Sequence, residues 1–320
     1  MDRLTIDNHG VRLHMIAAGP EGGARPPILC VHGWPELAQS WHHQIAHFAA
    51  RGHRIAAIDV RGYGESDKPH DIAAYRLSVI AGDVAAAIDR LGGRAILFGH
   101  DWGAPIVWHT ALRHPERVIA VAGLSVPYAP MGDTPYLAQM RALHAGRFFY
   151  QLYFQDEGVA EAELGGDPDA LLKIYYGISG PGMSAGAMKP KPEGATFLEG
   201  MPLPERLPDW LGRDELEAAK AAFAAGGWRG PLNRYRAQDL DFDERAPVRG
   251  RSIPQPACFI GGALDPVRLF VPGLDLYALA GAHCADYRGT TIIDGAGHWV
   301  QQEAPAATNA ALEAFVAGLG

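Results

Sequence analysis

Short, wholly apolar runs alternate with amphipathic stretches over the first 125 residues. Residues 4–7 and 11–16 flank Asn8-His9-Gly10, and this pattern predicts an opening hairpin, because Asn-x-Gly supplies the positive φ that a tight turn needs. Residues 27–31, 95–98 and 118–124 are apolar throughout rather than alternating, and 54–59 is apolar between Arg54 and Asp59, as expected of strands covered on both faces. Between them, apolar positions three and four apart predict helices over 37–50, 77–91 and 108–114. Strands alternating with helices predict a mostly parallel sheet flanked by helices on both sides.

The pattern changes after residue 125. From 126 to 251 no comparable apolar strand occurs, and helix-like segments at 136–153, 170–176 and 214–225 lie among Pro- and Gly-rich connections. Residues 183–208 carry five prolines and no clear period, which predicts a loop crossing between helices. Strand-like sequence resumes at 257–261 and 290–294, and a final amphipathic helix is expected over 305–319. The expected organisation is an α/β core in two parts, 1–125 and 252–320, with a helical cap at 126–251. In open α/β sheets ligands bind at the carboxyl ends of the strands, so this insertion is expected to lie over that crevice.

Composition narrows the classes. A chain of 320 residues with 48% hydrophobic and 20% charged residues is that of a globular protein with a large core. Its net charge of -8 disfavours nucleic acid as the main partner. No apolar run reaches bilayer length and no signal segment opens the chain, so no membrane association and a cytoplasmic location are expected. Cys30, Cys258 and Cys284 are widely spaced, as suits free thiols, and none has metal-site spacing. His43 and His47 lack a third ligand, so neither a metal nor another cofactor is expected.

Three polar residues follow separate expected strands: Asp101 in Gly99-His100-Asp101-Trp102-Gly103, Asp265 in Gly261-Gly262-Ala263-Leu264-Asp265, and His298 in Gly295-Ala296-Gly297-His298. Nucleophile, acid, histidine is the chain order of α/β-hydrolase triads, with aspartate here in the place of serine at the strand-to-helix elbow. That exchange selects the reaction. A carboxylate attacking an sp³ carbon leaves an ester that a histidine-activated water can cleave, whereas serine would leave an inert ether. His32-Gly33-Trp34-Pro35 ends another strand, where the backbone N–H of Trp34, with that of Trp102, is positioned to form an oxyanion hole. Trp34, Trp102, Phe154 and Trp299 are candidate substrate-binding aromatics for an apolar ligand.

His32-Gly33-Trp34-Pro35, Arg61-Gly62-Tyr63-Gly64-Glu65-Ser66, Gly99-His100-Asp101-Trp102-Gly103 and Gly297-His298-Trp299 together resemble, in order and spacing, the α/β-hydrolase-fold epoxide hydrolases of the soluble type. The resemblance runs through nearly the whole chain. It implies that Tyr150, in Phe149-Tyr150-Gln151-Leu152-Tyr153-Phe154, and Tyr235, in Asn233-Arg234-Tyr235, are two lid tyrosines. Opening an epoxide expels an alkoxide, so phenols facing Asp101 are useful proton donors. Tyr63 and Tyr153 are assigned to packing. The expectation is a cofactor-independent epoxide hydrolase acting on a small hydrophobic epoxide and water, as monomer or homodimer. A haloalkane or haloacid dehalogenase sharing the aspartate, and a non-catalytic ligand receptor of the same fold, are the alternatives. Trp34, where a phenylalanine is frequent, and Arg234 depart from the family pattern.

Overall fold

A computed structural model of the chain describes residues 1–319. Eight strands form one sheet: β1 (Asp2–Asn8), β2 (Val11–Ala18), β3 (Ile28–Val31), β4 (Ile55–Ile58), β5 (Ala95–His100), β6 (Val118–Leu124), β7 (Ile253–Gly262) and β8 (Cys284–Ile293). Their order across the sheet is β1-β2-β4-β3-β5-β6-β7-β8. β1 pairs antiparallel with β2, β2 pairs antiparallel with β4, and every later pairing is parallel. β3, β4 and β5 are buried at every position, as their unbroken apolar runs require.

Helices α1 (His42–Ala49), α2 (Leu77–Arg90) and α3 (Gly103–Arg113) link the first strands. Between β6 and β7 the chain is helical: α4 (Tyr136–Leu143), α5 (Tyr150–Tyr153), α6 (Val159–Gly166), α7 (Ala170–Gly177), α8 (Gly180–Ser184), α9 (Arg213–Gly226), α10 (Arg229–Arg236) and α11 (Gln238–Asp243). After β8 come α12 (Val300–Glu303) and α13 (Pro305–Ala317). One core cluster runs from β2, α2 and α3 into α6, α7 and α9, so the insertion shares its apolar interior with one face of the sheet. A second cluster, built on Trp41, Phe48, Phe98, Leu312 and Phe315, fills the other face.

The insertion is also fastened through backbone. A Cβ on Gly230 in α10 would stand 2.7 Å from the Cα of Gly62, so the loop after β4 and this helix meet where no side chain fits. Nearby, the buried Arg234 guanidinium binds Asp241 and the Tyr75 carbonyl, while Asp241 accepts from Leu77 N–H at 2.6 Å.

Three expected elements differ. The helix over 37–50 begins instead as a tighter turn at Ala38–Trp41 before α1. The single helix over 136–153 is two, the first ending at Leu143 and Gly146, at φ 72°, lying in the turn between them. The last strand starts at Cys284 rather than 290, and its mixed Asp286-Tyr287-Arg288-Gly289 sequence suits its largely exposed position on the sheet edge. Among the described residues, no helix is long and apolar enough to cross a membrane.

Candidate active site

Asp101 sits between β5 and α3 at φ 50°, a left-handed conformation that turns the side chain out of the chain path at the carboxyl edge of the sheet. The neighbouring strand end presses on it closely. A Cβ on Gly33 would lie 2.4 Å from the Cβ of Asp101, and only glycine permits that approach. Consequently the Trp34 N–H reaches Asp101 Oδ1 at 2.7 Å. Trp102, directly after Asp101, is the residue from which α3 starts.

His298 brings the remaining strand ends together. Its Nε2 lies 3.3 Å from Asp101 Oδ2, and its Nδ1 lies 3.0 Å from Asp265 Oδ2. Asp265 is nearly inaccessible and also accepts from Val267 N–H at 2.9 Å and from the Tyr277 hydroxyl at 2.6 Å. Burial alone raises a carboxyl pKa, but here His298 and these donors outweigh it and hold Asp265 below its ordinary value. Burial likewise works against a charged His298, yet the Asp265 and Asp101 carboxylates win and push its pKa well above the usual imidazole value.

The loop carrying His298 is tied down through its backbone. His298 N–H donates to the Ile178 carbonyl at 2.9 Å. The His298 carbonyl accepts from Ser125 Oγ at 2.8 Å and faces His100 Nε2 at 2.7 Å, and His100 Nδ1 contacts Glu36 at 2.6 Å. Glu303 accepts from the N–H groups of Gly297, Trp299 and, in the insertion, Gly180 at 2.7–3.0 Å. A single carboxylate thus grips both sides of His298 and the helical layer above it. None of Tyr277, Ser125, Glu36 and Glu303 stood out in the sequence; the signal for Glu36 was its place directly after His32-Gly33-Trp34-Pro35.

A cavity of about 300 Å³ opens over Asp101. Asp101, His298, Trp34, Tyr150 and Tyr235 all contribute to its wall, with Phe149, Phe197, Met201 and Phe270 extending the apolar lining outward. Among the described residues, Asp101 is the only acidic one on that wall. The rings of Tyr150 and Tyr235 are 5.8 Å apart, and Trp34 stands edge-on to Tyr235 at 5.9 Å. Burial first and the charge of Asp101 second push the Tyr150 pKa well above that of a free phenol; burial, Tyr150 and Asp101 do the same to Tyr235. Both therefore keep their O–H at neutral pH.

Three expected lining residues lie elsewhere. Phe154 and Trp299 have no exposed surface and are absent from the cavity wall. Phe154 backs the wall, 5.3 Å from Trp34 and 5.1 Å from Tyr235, and Trp299 stands edge-on to His298 at 4.8 Å while its indole N–H bonds the Tyr175 carbonyl at 2.8 Å. Trp102 is also off the cavity wall, held between the Arg234 guanidinium at 4.8 Å and Tyr235 at 5.3 Å. Tyr153 donates to Glu163 at 2.9 Å, and Tyr63 packs edge-on against His32 at 4.8 Å.

A family profile described as the alpha/beta hydrolase fold matches residues 26–305. Epoxide hydrolase A of Mycobacterium tuberculosis is 41% identical over 98% of this chain and 97% of its own length, and epoxide hydrolase B of that organism is 35% identical over 98% of each. The crystal structure of epoxide hydrolase A from Mycobacterium thermoresistibile superposes with a TM-score of 0.91 at 41% identity, covering 99% of this chain and 98% of that one. An epoxide hydrolase from an endophytic Streptomyces gives 0.92 at 38% identity, covering 99% and 96%. With the family profile matching most of the chain, relatives matched end to end at 35–41% identity and solved structures superposing at TM-scores of 0.91 and 0.92, the chain belongs to the epoxide hydrolases of the α/β-hydrolase fold.

Proposed function

We propose that the protein hydrolyses small apolar epoxides to vicinal diols through a covalent ester on Asp101. An Asp101 carboxylate oxygen attacks one oxirane carbon, and the carbon–oxygen bond that breaks leaves its electron pair on the ring oxygen. Tyr150 and Tyr235 hydrogen-bond that oxygen and one of them supplies its proton. A phenol suits the task because it is protonated at neutral pH yet acidic enough to serve an alkoxide.

Alkylation then alters the second step. Once Asp101 is an ester, one of the two carboxylate charges that raise the His298 pKa is gone, so the imidazolium sheds its proton to solvent more readily and the ring is neutral when a base is needed. His298, oriented by Asp265, takes a proton from water, and the hydroxide attacks the ester carbonyl. The negative charge collects on the oxygen that Trp34 N–H already contacts, with Trp102 N–H as the second donor. Collapse expels the diol oxygen, which takes the His298 proton, and the proton left on the Asp101 carboxyl returns to the phenolate. Water and epoxide balance to diol.

The observation that carries this reading is the convergence of a carboxylate nucleophile, a paired histidine 3.3 Å away and two protonated phenols on one cavity. A haloalkane substrate would leave as halide and would not call on the phenols. The test is intact-protein mass spectrometry of His298→Gln after mixing with terminal, internal and aryl epoxides, alongside matching haloalkanes scored for halide. An adduct equal in mass to the epoxide, lost in Asp101→Asn, is expected; halide release without diol formation by the unaltered enzyme would overturn the assignment.

A further inference from the structure

Behind Tyr150 lies a row of side-chain amides that the mechanism above does not use. Gln151, only 7% exposed, places its Nε2 2.9 Å from the Tyr150 hydroxyl oxygen. Its Oε1 is 3.2 Å from Gln238 Nε2, and that same Nε2 is 3.0 Å from the backbone carbonyl of Tyr235. Gln155 Nε2 also donates to the Tyr235 carbonyl at 3.2 Å, and to the Gln151 carbonyl at 2.7 Å. Tyr235 lies in the last turn of α10, where carbonyl groups lack helical partners and accept from side chains.

The orientation of each amide follows from that carbonyl. A carbonyl oxygen only accepts, so the Gln238 atom facing it is the NH₂. The Gln151 atom facing the same NH₂ is then its oxygen, and the other end of Gln151, an NH₂ with no lone pair to offer, faces Tyr150. Tyr150 must accept there. Its own proton cannot point at Gln151 and is left for the cavity.

Resting on the reading of Tyr150 as a proton donor, we infer that Gln151, set by Gln238 and the Tyr235 carbonyl, is a positioning residue that aims the Tyr150 O–H at the epoxide oxygen and strengthens it as an acid. An N–H bond to a phenol oxygen stabilises the phenolate more than the phenol, because bonds to charged acceptors are the stronger ones. It therefore opposes burial and the Asp101 charge, which both resist ionisation of Tyr150. The relay also makes the two lid tyrosines interdependent, since the backbone of one orients the hydroxyl of the other.

The test measures ester formation alone, by quenched-flow mass spectrometry in the His298→Gln chain, with 1,2-epoxyhexane and 3-aryloxy-1,2-epoxypropanes whose opened alkoxides differ in basicity. Gln151→Met is expected to slow ester formation about tenfold, and most for the most basic alkoxide, because a weaker acid is felt most by the poorest leaving group. Gln238→Met, on a partly buried side chain further from the site, is expected to cost about threefold with the same trend, and it carries the test should Gln151→Met fold poorly. Gln151→Glu separates hydrogen bonding from packing. As a carboxylate it accepts the Tyr150 proton, and ester formation is expected to fall about 100-fold at pH 8; as the carboxyl protonates toward pH 5.5 it can donate again, and the rate relative to the parent at the same pH recovers. Equal slowing of every epoxide with no recovery of Gln151→Glu in acid, or no slowing at all, overturns the relay while leaving the reaction intact. If the His298→Gln parent forms no adduct with any epoxide, the functional reading fails first and the relay falls with it.

Discussion

The strand-end half of the site and the helical half are held by different means. Asp101, Asp265 and His298 stand on loops whose backbones are bonded to the sheet and to one another, through Ser125, His100 and Glu303, and whose charges are matched in buried pairs. Tyr150 and Tyr235 are held by ring packing against Trp34, Phe154 and Phe197 and by neutral amides. Charged groups need fixed partners, since a buried charge without one is costly, whereas a protonated phenol tolerates an apolar wall. On the proposed mechanism, the core is thus suited to the steps in which charge moves, and the insertion to the step in which a proton is lent.

The sharpest way to break that division is to ask which half-reaction each change affects. Asp101→Asn removes the proposed nucleophile and is expected to lower turnover by about 10⁴-fold, with no adduct even in the His298→Gln background. It should also lower the His298 pKa, because one of the carboxylates raising it is gone, and imidazole NMR titration reads that shift. Persistence of the adduct would take the nucleophile out of the core. Asp265→Asn leaves Asp101 able to react, so ester formation should continue while its hydrolysis slows by about 10³-fold, measured as adduct decay after substrate is exhausted. Equal slowing of both steps would contradict the assignment of Asp265 to water activation.

Changes in the helical half should show the reverse. Tyr150→Phe and Tyr235→Phe are each expected to slow ester formation by about 10²-fold and the double variant further, with adduct decay within twofold of the parent. A decay rate that falls along with formation would mean that the insertion serves both steps, and the contrast would collapse.

How much of this could be read in advance tracks the same contrast. Asp101, Asp265 and His298 were legible because each follows an apolar strand and is announced by its own glycine-rich turn, so a local pattern places it. Tyr150 and Tyr235 came only through resemblance, since eleven tyrosines give no local reason to choose two. Trp102, Phe154 and Trp299 fall off the cavity wall because a sequence can show that aromatic rings cluster without showing which of them faces the cavity. Gln151 and Gln238 are 87 positions apart, and their bond is made by the docking of α5 on α10 and α11, which no spacing along the chain encodes. The sheet order was legible as a class from the alternation of strands and helices, but β8 was shortened because an exposed edge strand lacks the apolar run that marks a buried one.

A smaller effect in the core half is expected from Tyr277→Phe, which tests how far support for that half extends. Tyr277 Oη lies 2.6 Å from Asp265 Oδ2 and 3.0 Å from the Ser125 carbonyl, so its single proton is drawn toward the carboxylate that orients His298. Without it Asp265 loses one of the donors holding its pKa below the ordinary value, and the pKa rises. Ester hydrolysis should slow about fivefold, its acid limb should move to higher pH, and ester formation should be unchanged. Stability follows the same sign. A carboxyl whose folded pKa is depressed contributes stability that is present above its unfolded pKa and is lost as pH falls through the folded value. Removing the Tyr277 donor should therefore cost about 1–3 kcal/mol near pH 7, by denaturant unfolding, and the deficit should narrow in acid as Asp265 protonates in both proteins. A deficit of the same size at every pH would assign Tyr277 to packing against Phe259, 4.7 Å away, and leave Asp265 supported by Val267 and His298 alone.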